Sequence, residues 1–234
     1  MMGTLLKSDL LRIRKSTWVV MLLFPLLVLG MKAGDYMSRY DYLTSLSNDN
    51  WGVMIKSIHF YWSPAFVLGM TLLVSLIAGA EHKTDMWKKL FSLPISPLQV
   101  YQSKAVLILG MIHISILILL AGSYTLGIIL GFHQPFPFLY MMEIAFGTVY
   151  AAGPLLFLQF HLSMRYKNQG IALTIGIASM VLVLNGFDLP DWLPWKWPLL
   201  VGIDNFYEVI MKGLPTAILI YVFSLFILVK REVD

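Results

Sequence analysis

The sequence predicts an all-α polytopic membrane protein with six transmembrane helices, and three observations carry that reading. Hydrophobic residues make up 58% of the chain and charged residues 13%, against roughly 45–50% and 25% in soluble domains. Apolar runs stand at 17–33, 60–80, 105–132, 140–161, 171–187 and 214–229, each near the ~17–25 residues that a spanning helix needs. The basic residues divide unevenly about these runs, twelve on one side and five on the other. Six spans place both termini on one side, and the basic excess makes that side cytoplasmic. One transmembrane domain, 1–234, follows.

The N-terminal tail carries Lys7, Arg12, Arg14 and Lys15. With the apolar run behind it, it resembles a signal peptide, but the run is long for one and MKAGDY is a poor cleavage site. The run is therefore read as a retained first span. Leu6, Leu10 and Ile13 share a stripe, so 4–16 form a short amphipathic helix in the interface; a plain basic stop signal is the alternative.

The segment 34–59 reads as a polar outer loop with Tyr36, Tyr40, Tyr42 and Trp51 at an aromatic belt. Pro25, Pro64 and Pro154 fall inside spans, where proline removes a backbone donor and kinks a helix. Between the fifth and sixth spans, Trp192, Trp195 and Trp197 alternate with three prolines. No regular span fits there, and the predicted element is an outer interfacial belt, followed by an interfacial helix bearing Asp204 and Glu208.

The second and third spans are separated by EHKTDMWKKLFSLPISPLQVYQSK, residues 81–104. Ser96-Pro97-Leu98-Gln99 is a helix start, with Ser as cap, Pro in the first turn and Gln placed to reach back. Upstream, Thr84 caps a short helix, 85–91, that sets Trp87 and Phe91 on one face. Two helices of a hairpin need only about 2–8 connecting residues. The extra length, the aromatic pair and the break at Leu93-Pro94 predict a docking surface for a soluble partner, with a membrane-surface anchor as the alternative.

An acidic residue, a Thr, a Trp, LPIS, then Tyr101 and Ser103-Lys104 opening an apolar span: this pattern resembles the first cytoplasmic loop of type-2 ABC exporter permeases. Among these it is most similar to the permease subunits of lantibiotic immunity transporters, and the likeness extends in outline over the whole chain. The resemblance implies a bacterial cytoplasmic-membrane permease whose coupling helix, between spans 2 and 3, meets a separate cytoplasmic ATPase subunit. Glu81, Thr84, Trp87, Leu93, Pro94, Tyr101 and Lys104 match the coupling interface, while His82-Lys83 only partly matches the family's basic pair. A second permease chain, identical or homologous, and a lantibiotic or bacteriocin peptide as exported cargo are also implied. Other amphiphilic cargo, such as a lipid-linked glycan or a drug, fits the same architecture, and a membrane sensor or scaffold is the alternative outside transport.

The residues themselves limit the chemistry. No GxxxxGK[ST] loop occurs, so ATP and Mg2+ belong to the partner and no cofactor to this chain. Cysteine is absent, which excludes thiolate metal sites and cysteine nucleophiles. No HExxH or GxSxG is present, and neither a metal site nor a nucleic-acid partner is expected. The titratable residues in the spans are His113, Glu143 and His161. At about 1.5 Å per residue, Glu143 and His161 lie about 27 Å apart on one helix, and His113 and Glu143 about 13 Å apart in depth. No catalytic pair converges. Glu143 is a candidate contact for a cationic substrate near the outer leaflet, or a residue reaching the interface; His113 reads as a helix-packing residue.

Overall fold

The computed structural model describes residues 2–83, 96–200 and 206–230, and all regular structure among them is helical. Eight helices follow one another: α1 (Met2–Arg12), α2 (Lys15–Ser45), α3 (Asn50–Lys83), α4 (Pro97–Ile129), α5 (Phe138–Ala151), α6 (Gly153–Arg165), α7 (Gln169–Leu184) and α8 (Phe206–Lys230). Two 3-10 turns, Gly186–Asp188 and Trp197–Leu199, lie between α7 and α8. The expected helix at 85–91, with Thr84, Trp87, Leu93 and Pro94, and the position of Asp204 lie outside the described residues.

Against the expectation of six spans, four described helices are long and apolar enough to cross a bilayer: α2, α3, α4 and α8. The pair α5 and α6 counts as a fifth only as one bent span, its halves inclined by 44°. Helix α7 has 16 residues, which at 1.5 Å per residue is about 24 Å, short of a ~30 Å hydrocarbon core.

Helix α3 is the centre of the bundle. Met54, Ile55, Ile58, Trp62, Phe66, Val67, Met70, Val74 and Ala78 are all buried, and their spacing of three and four residues turns apolar faces toward α2, α6 and α7 together. Helices α2 and α8 instead expose long apolar faces, with Val19, Leu22, Leu26 and Met31 on one and Leu219, Val222, Phe223 and Phe226 on the other. Apolar exposure on this scale suits lipid contact.

The segment 34–59 is not a polar loop. Helical structure continues past a kink at Arg39 to Ser45, and α3 begins at Asn50, so the two form a hairpin that projects beyond the apolar runs. Local pairing accounts for the extension. Asp35 accepts from Lys32, 2.6 Å away, and from Arg39 one turn on, and Asp49 accepts from the Gly52 amide at 2.9 Å, in the manner of an N-cap. Tertiary packing completes it. Tyr36 and Trp51 are buried, and the Trp51 indole donates to the Gln134 carbonyl (2.9 Å) while packing against Phe132 and Phe136.

Of the three prolines expected to kink helices, only Pro154 lies at a break; the helices run on through Pro25 and Pro64. Pro154 has no amide to offer the carbonyl of Tyr150, four residues back. That carbonyl lies where α8 crosses, so near that a Cβ on Gly213 would stand 2.6 Å from it and 2.8 Å from Ala151 Cα. Glycine here lets two backbones approach as small residues do in membrane bundles.

The predicted interfacial helix around Glu208 is instead the first turn of α8, which runs unbroken from Phe206. Glu208 and Lys212 pair at i,i+4.

Candidate coupling site

The ends of α3 and α4 that border the loop carry the buried polar side chains Glu81, Ser103 and Lys104. Ser96 caps α4 as expected: it accepts from the Gln99 amide at 3.3 Å, with Pro97 next in the chain. This start fixes the phase of α4, so that Val100, Tyr101, Ser103 and Lys104 all turn inward.

Lys104 is 3% exposed and donates to Glu81 on α3 and Asp9 on α1, each at 2.6 Å. Ser103 donates to the second oxygen of Asp9 at 2.7 Å. One ammonium thus joins three helices in a buried cluster. Desolvation makes such a cluster weak as a net source of stability, but removing one partner strands the others. One turn nearer the loop, the Tyr101 hydroxyl meets Ser224 Oγ on α8, and Ser224 Oγ lies 2.7 Å from His161 Nδ1 on α6.

A second chain runs from the end of α3. His82 Nε2 donates to the Ser163 carbonyl on α6 (3.1 Å), which also accepts from Gln169 of α7 at 2.9 Å. Gln159 of α6 donates to the Ala172 carbonyl of α7 at 3.1 Å. The two stumps of the loop are therefore hydrogen-bonded to α1, α6 and α8, and through α6 to α7. Buried polar networks of this kind lose far more when partly broken than their net stabilising value suggests.

At the opposite end a smaller cluster fixes the 186–200 segment. His59 on α3 is buried; its Nε2 donates to the Leu199 carbonyl and its Nδ1 lies 3.2 Å from the Thr148 hydroxyl of α5. Ser63, one turn on, donates to the Pro198 carbonyl at 2.9 Å. Replacing His59 by Leu is expected to leave the Leu199 carbonyl without its donor, lowering stability by about 1–3 kcal/mol. Limited proteolysis within 186–200 should then be faster than in the wild type.

The residues expected at the coupling interface divide. Glu81, Tyr101 and Lys104 are brought together inside the bundle; they face other helices, not solvent, and so stand behind the loop. Thr84, Trp87, Leu93 and Pro94 are outside the described residues. Glu143 is exposed and 3.4 Å from the Tyr207 hydroxyl. It does not share a straight helix with His161, because the α5–α6 break separates them. His113 bonds the Leu109 carbonyl one turn back through Nδ1 at 2.7 Å and packs on Phe146.

The tryptophans do not share one surface. Trp192 is exposed, Trp195 half-buried, and Trp197 buried with its indole donating to the Asp191 carbonyl at 2.8 Å. Beside them, the Lys196 ammonium, 2.7 Å from Asp191, holds that carboxyl below its ordinary range.

Asp9, Ser224, His59 and Ser63 carry no motif in the sequence, and Ser103 enters only as the neighbour of Lys104. Asp9 carried a signal, as the one acidic residue in a tail with four basic ones. The others are ordinary polar residues whose partners lie as many as 140 positions away.

No curated protein and no solved structure matches the chain significantly. A family model described as ABC-2 family transporter protein matches residues 5–185, more than three-quarters of the chain. That stretch takes in most of α1, all of α2 through α7, the loop and, Ser224 apart, the residues of both polar chains that start from its ends. With helices long and apolar enough to cross a membrane several times, the chain is a multi-pass membrane protein, and it belongs to the ABC-2 family of transporter proteins, whose membrane components work with an ABC ATPase subunit.

Proposed function

We propose that the chain is the permease subunit of an ATP-driven exporter in the bacterial cytoplasmic membrane, with both termini cytoplasmic. The segment 84–95 is the docking surface for the ATPase, and Trp87, Leu93 and Pro94 make the contact. Glu81, Tyr101 and Lys104 act behind it as positioning residues. The observation that carries this reading is the Lys104 cluster: the helix entering the loop and the helix leaving it are locked together and to α1 by one buried ammonium. A push on the loop would move those helices as a unit.

Six spans follow if the bent pair crosses once and α7 crosses where the bilayer thins toward it. A second such chain completes the path. The cargo is an amphiphile taken from the membrane, and resemblance to lantibiotic immunity permeases favours an antimicrobial peptide. In support, an apolar groove of about 440 Å3 opens between α4 and α5, lined by Leu117, Leu120, Tyr124, Phe136, Phe138 and Met142, within the size range of small-ligand sites. Glu143 follows Met142 in sequence and would meet a cationic end of such a cargo.

Affinity extraction of the tagged chain in mild detergent, followed by mass identification of what accompanies it, tests the motor. An ATPase subunit should accompany the wild type and be lost with Trp87→Ala/Pro94→Ala, while both proteins insert equally. Absence of any nucleotide-binding partner under several extraction conditions would instead favour a sensor or scaffold.

A further inference from the structure

The groove between α4 and the start of α5 has a floor of Leu120, Phe136 and Met142, buried or half-buried, and rims at Leu117, Tyr124 and Phe138, each about half exposed. On α4 it runs from Leu117 to Tyr124, about 10 Å at 1.5 Å per residue, and Leu120 stands about 24 Å along the helix from Lys104. It therefore lies at hydrocarbon depth, in the half of the bundle away from the loop.

One end of the groove is fixed before anything binds. The Phe136 ring stands edge-on to Tyr124 at 5.2 Å and to Trp51 at 4.8 Å. Trp51 is itself anchored on the Gln134 carbonyl and lies so close to Gly127 of α4 that a Cβ there would strike its ring. Aromatic rings of this kind sit where hydrocarbon gives way to headgroups.

Size and polarity narrow the occupant. A cavity of about 150 Å3 takes one six-carbon ring, so a groove of about 440 Å3 has room for roughly 18 carbons. An α-helix, about 10–12 Å across with its side chains, would need at least about 800 Å3 over the same length. Neither a helical peptide nor a span of a second chain seats in it. The lining side chains carry no charge and a single hydroxyl, that of Tyr124, so a polar occupant would lose its hydration without compensation.

We infer that this groove binds one hydrocarbon tail of a phospholipid from the leaflet opposite the loop, laid along α4 with its ester end at the aromatic stack. The tail is held by shape, unlike lipid against the convex faces of α2 and α8. An amphiphile entering the groove as cargo would exchange with that tail. The inference does not rest on the transport reading, because neither ATPase nor cargo is present in its test.

The test is photolabelling of the full chain in phosphatidylcholine vesicles that carry a small share of phosphatidylcholine with a diazirine midway along one tail, followed by digestion and mass mapping. Adducts on 117–142 should be severalfold denser than on the exposed apolar faces of α2 and α8, which serve as the reference within the same molecule. Ala121→Phe, at an exposed lining position, fills the groove and should lower those adducts severalfold while leaving α2 and α8 unchanged. Ala121→Leu serves if the phenylalanine variant does not insert. Leu139→Ala, exposed and outside the groove, should leave the labelling as it is. The same tail on a phosphatidylglycerol headgroup should label alike. Groove adducts no denser than those on α2 and α8, adducts unchanged in the filled variants, or labelling that follows the headgroup would each overturn the inference.

Discussion

Lys104→Leu is expected to lower stability by about 3–5 kcal/mol, because it leaves the Asp9 and Glu81 carboxylates buried without their shared cation. In detergent the unfolding midpoint should fall by several degrees, and α1 should become accessible to proteolysis. Lys104→Arg should lose less, since the charge is kept while a larger group is forced into a site where the lysine is almost fully buried. The triple variant Asp9→Asn/Glu81→Gln/Lys104→Leu removes all three charges and should recover part of the stability. If the triple variant is as unstable as Lys104→Leu, packing of the lysine stem, and not its charge, holds the cluster. Stability and coupling are separable here: the triple variant should fold, yet should transmit poorly from the loop, because the link between α1, α3 and α4 is gone.

Gly213→Val should be comparably damaging at the other major helix contact. The added Cβ meets backbone, the Tyr150 carbonyl at 2.6 Å and Ala151 Cα at 2.8 Å, and backbone in a broken helix cannot move aside as a side chain end would. Overpacking of this kind costs about 1–3 kcal/mol, and loss of the α8 contact adds to it. The informative contrast is Gly110→Ala in α4, where a Cβ has nothing within 4 Å; helix propensity alone makes that change neutral or favourable by up to about 1 kcal/mol. Equal unfolding midpoints for Gly213→Val and the wild type would show that α8 does not cross α5 and α6 at Gly213.

Several features were legible because they depend on short stretches. The Ser96-Pro97-Gln99 signature fixed the start of α4 to the residue, since capping is settled within one turn. The apolar runs at 17–33, 60–80 and 214–229 lie within long helices that extend past them, and the run 105–132 overruns the end of α4 by three residues while α4 begins eight residues before it. The extensions were hidden because Lys32, Asp35 and Arg39 look like loop residues until their helical spacing lets them pair. Pro154 differs from Pro25 and Pro64 through a neighbour, Gly213, that lies 59 positions away, so no local reading could separate the three.

The candidate site divides in the same way. Glu81, Tyr101 and Lys104 came from a motif, and their convergence is visible only in the fold. Asp9, Ser224 and His161 complete the network from three other helices, and nothing in a linear sequence pairs Asp9 with Lys104 across 95 positions. The tryptophans of 192–197 show the reverse error: composition suggests a belt, yet the Asp191 carbonyl draws the Trp197 indole into the interior.

The central claim is that the polar cluster at the base of the loop carries the state of a bound ATPase into the helix bundle. The chain has no cysteine, so spin labels can be placed on Leu11→Cys in α1 and Lys167→Cys in the α6–α7 turn, both exposed positions, and their separation measured by pulsed dipolar spectroscopy in the complex with the copurified ATPase. The distance distribution should shift between nucleotide-free and ATP-trapped states in the otherwise wild-type chain. It should not shift in Asp9→Asn/Glu81→Gln/Lys104→Leu, provided that variant still holds the ATPase. An unchanged distance in the wild-type background, or an equal shift with the cluster removed, would contradict the account.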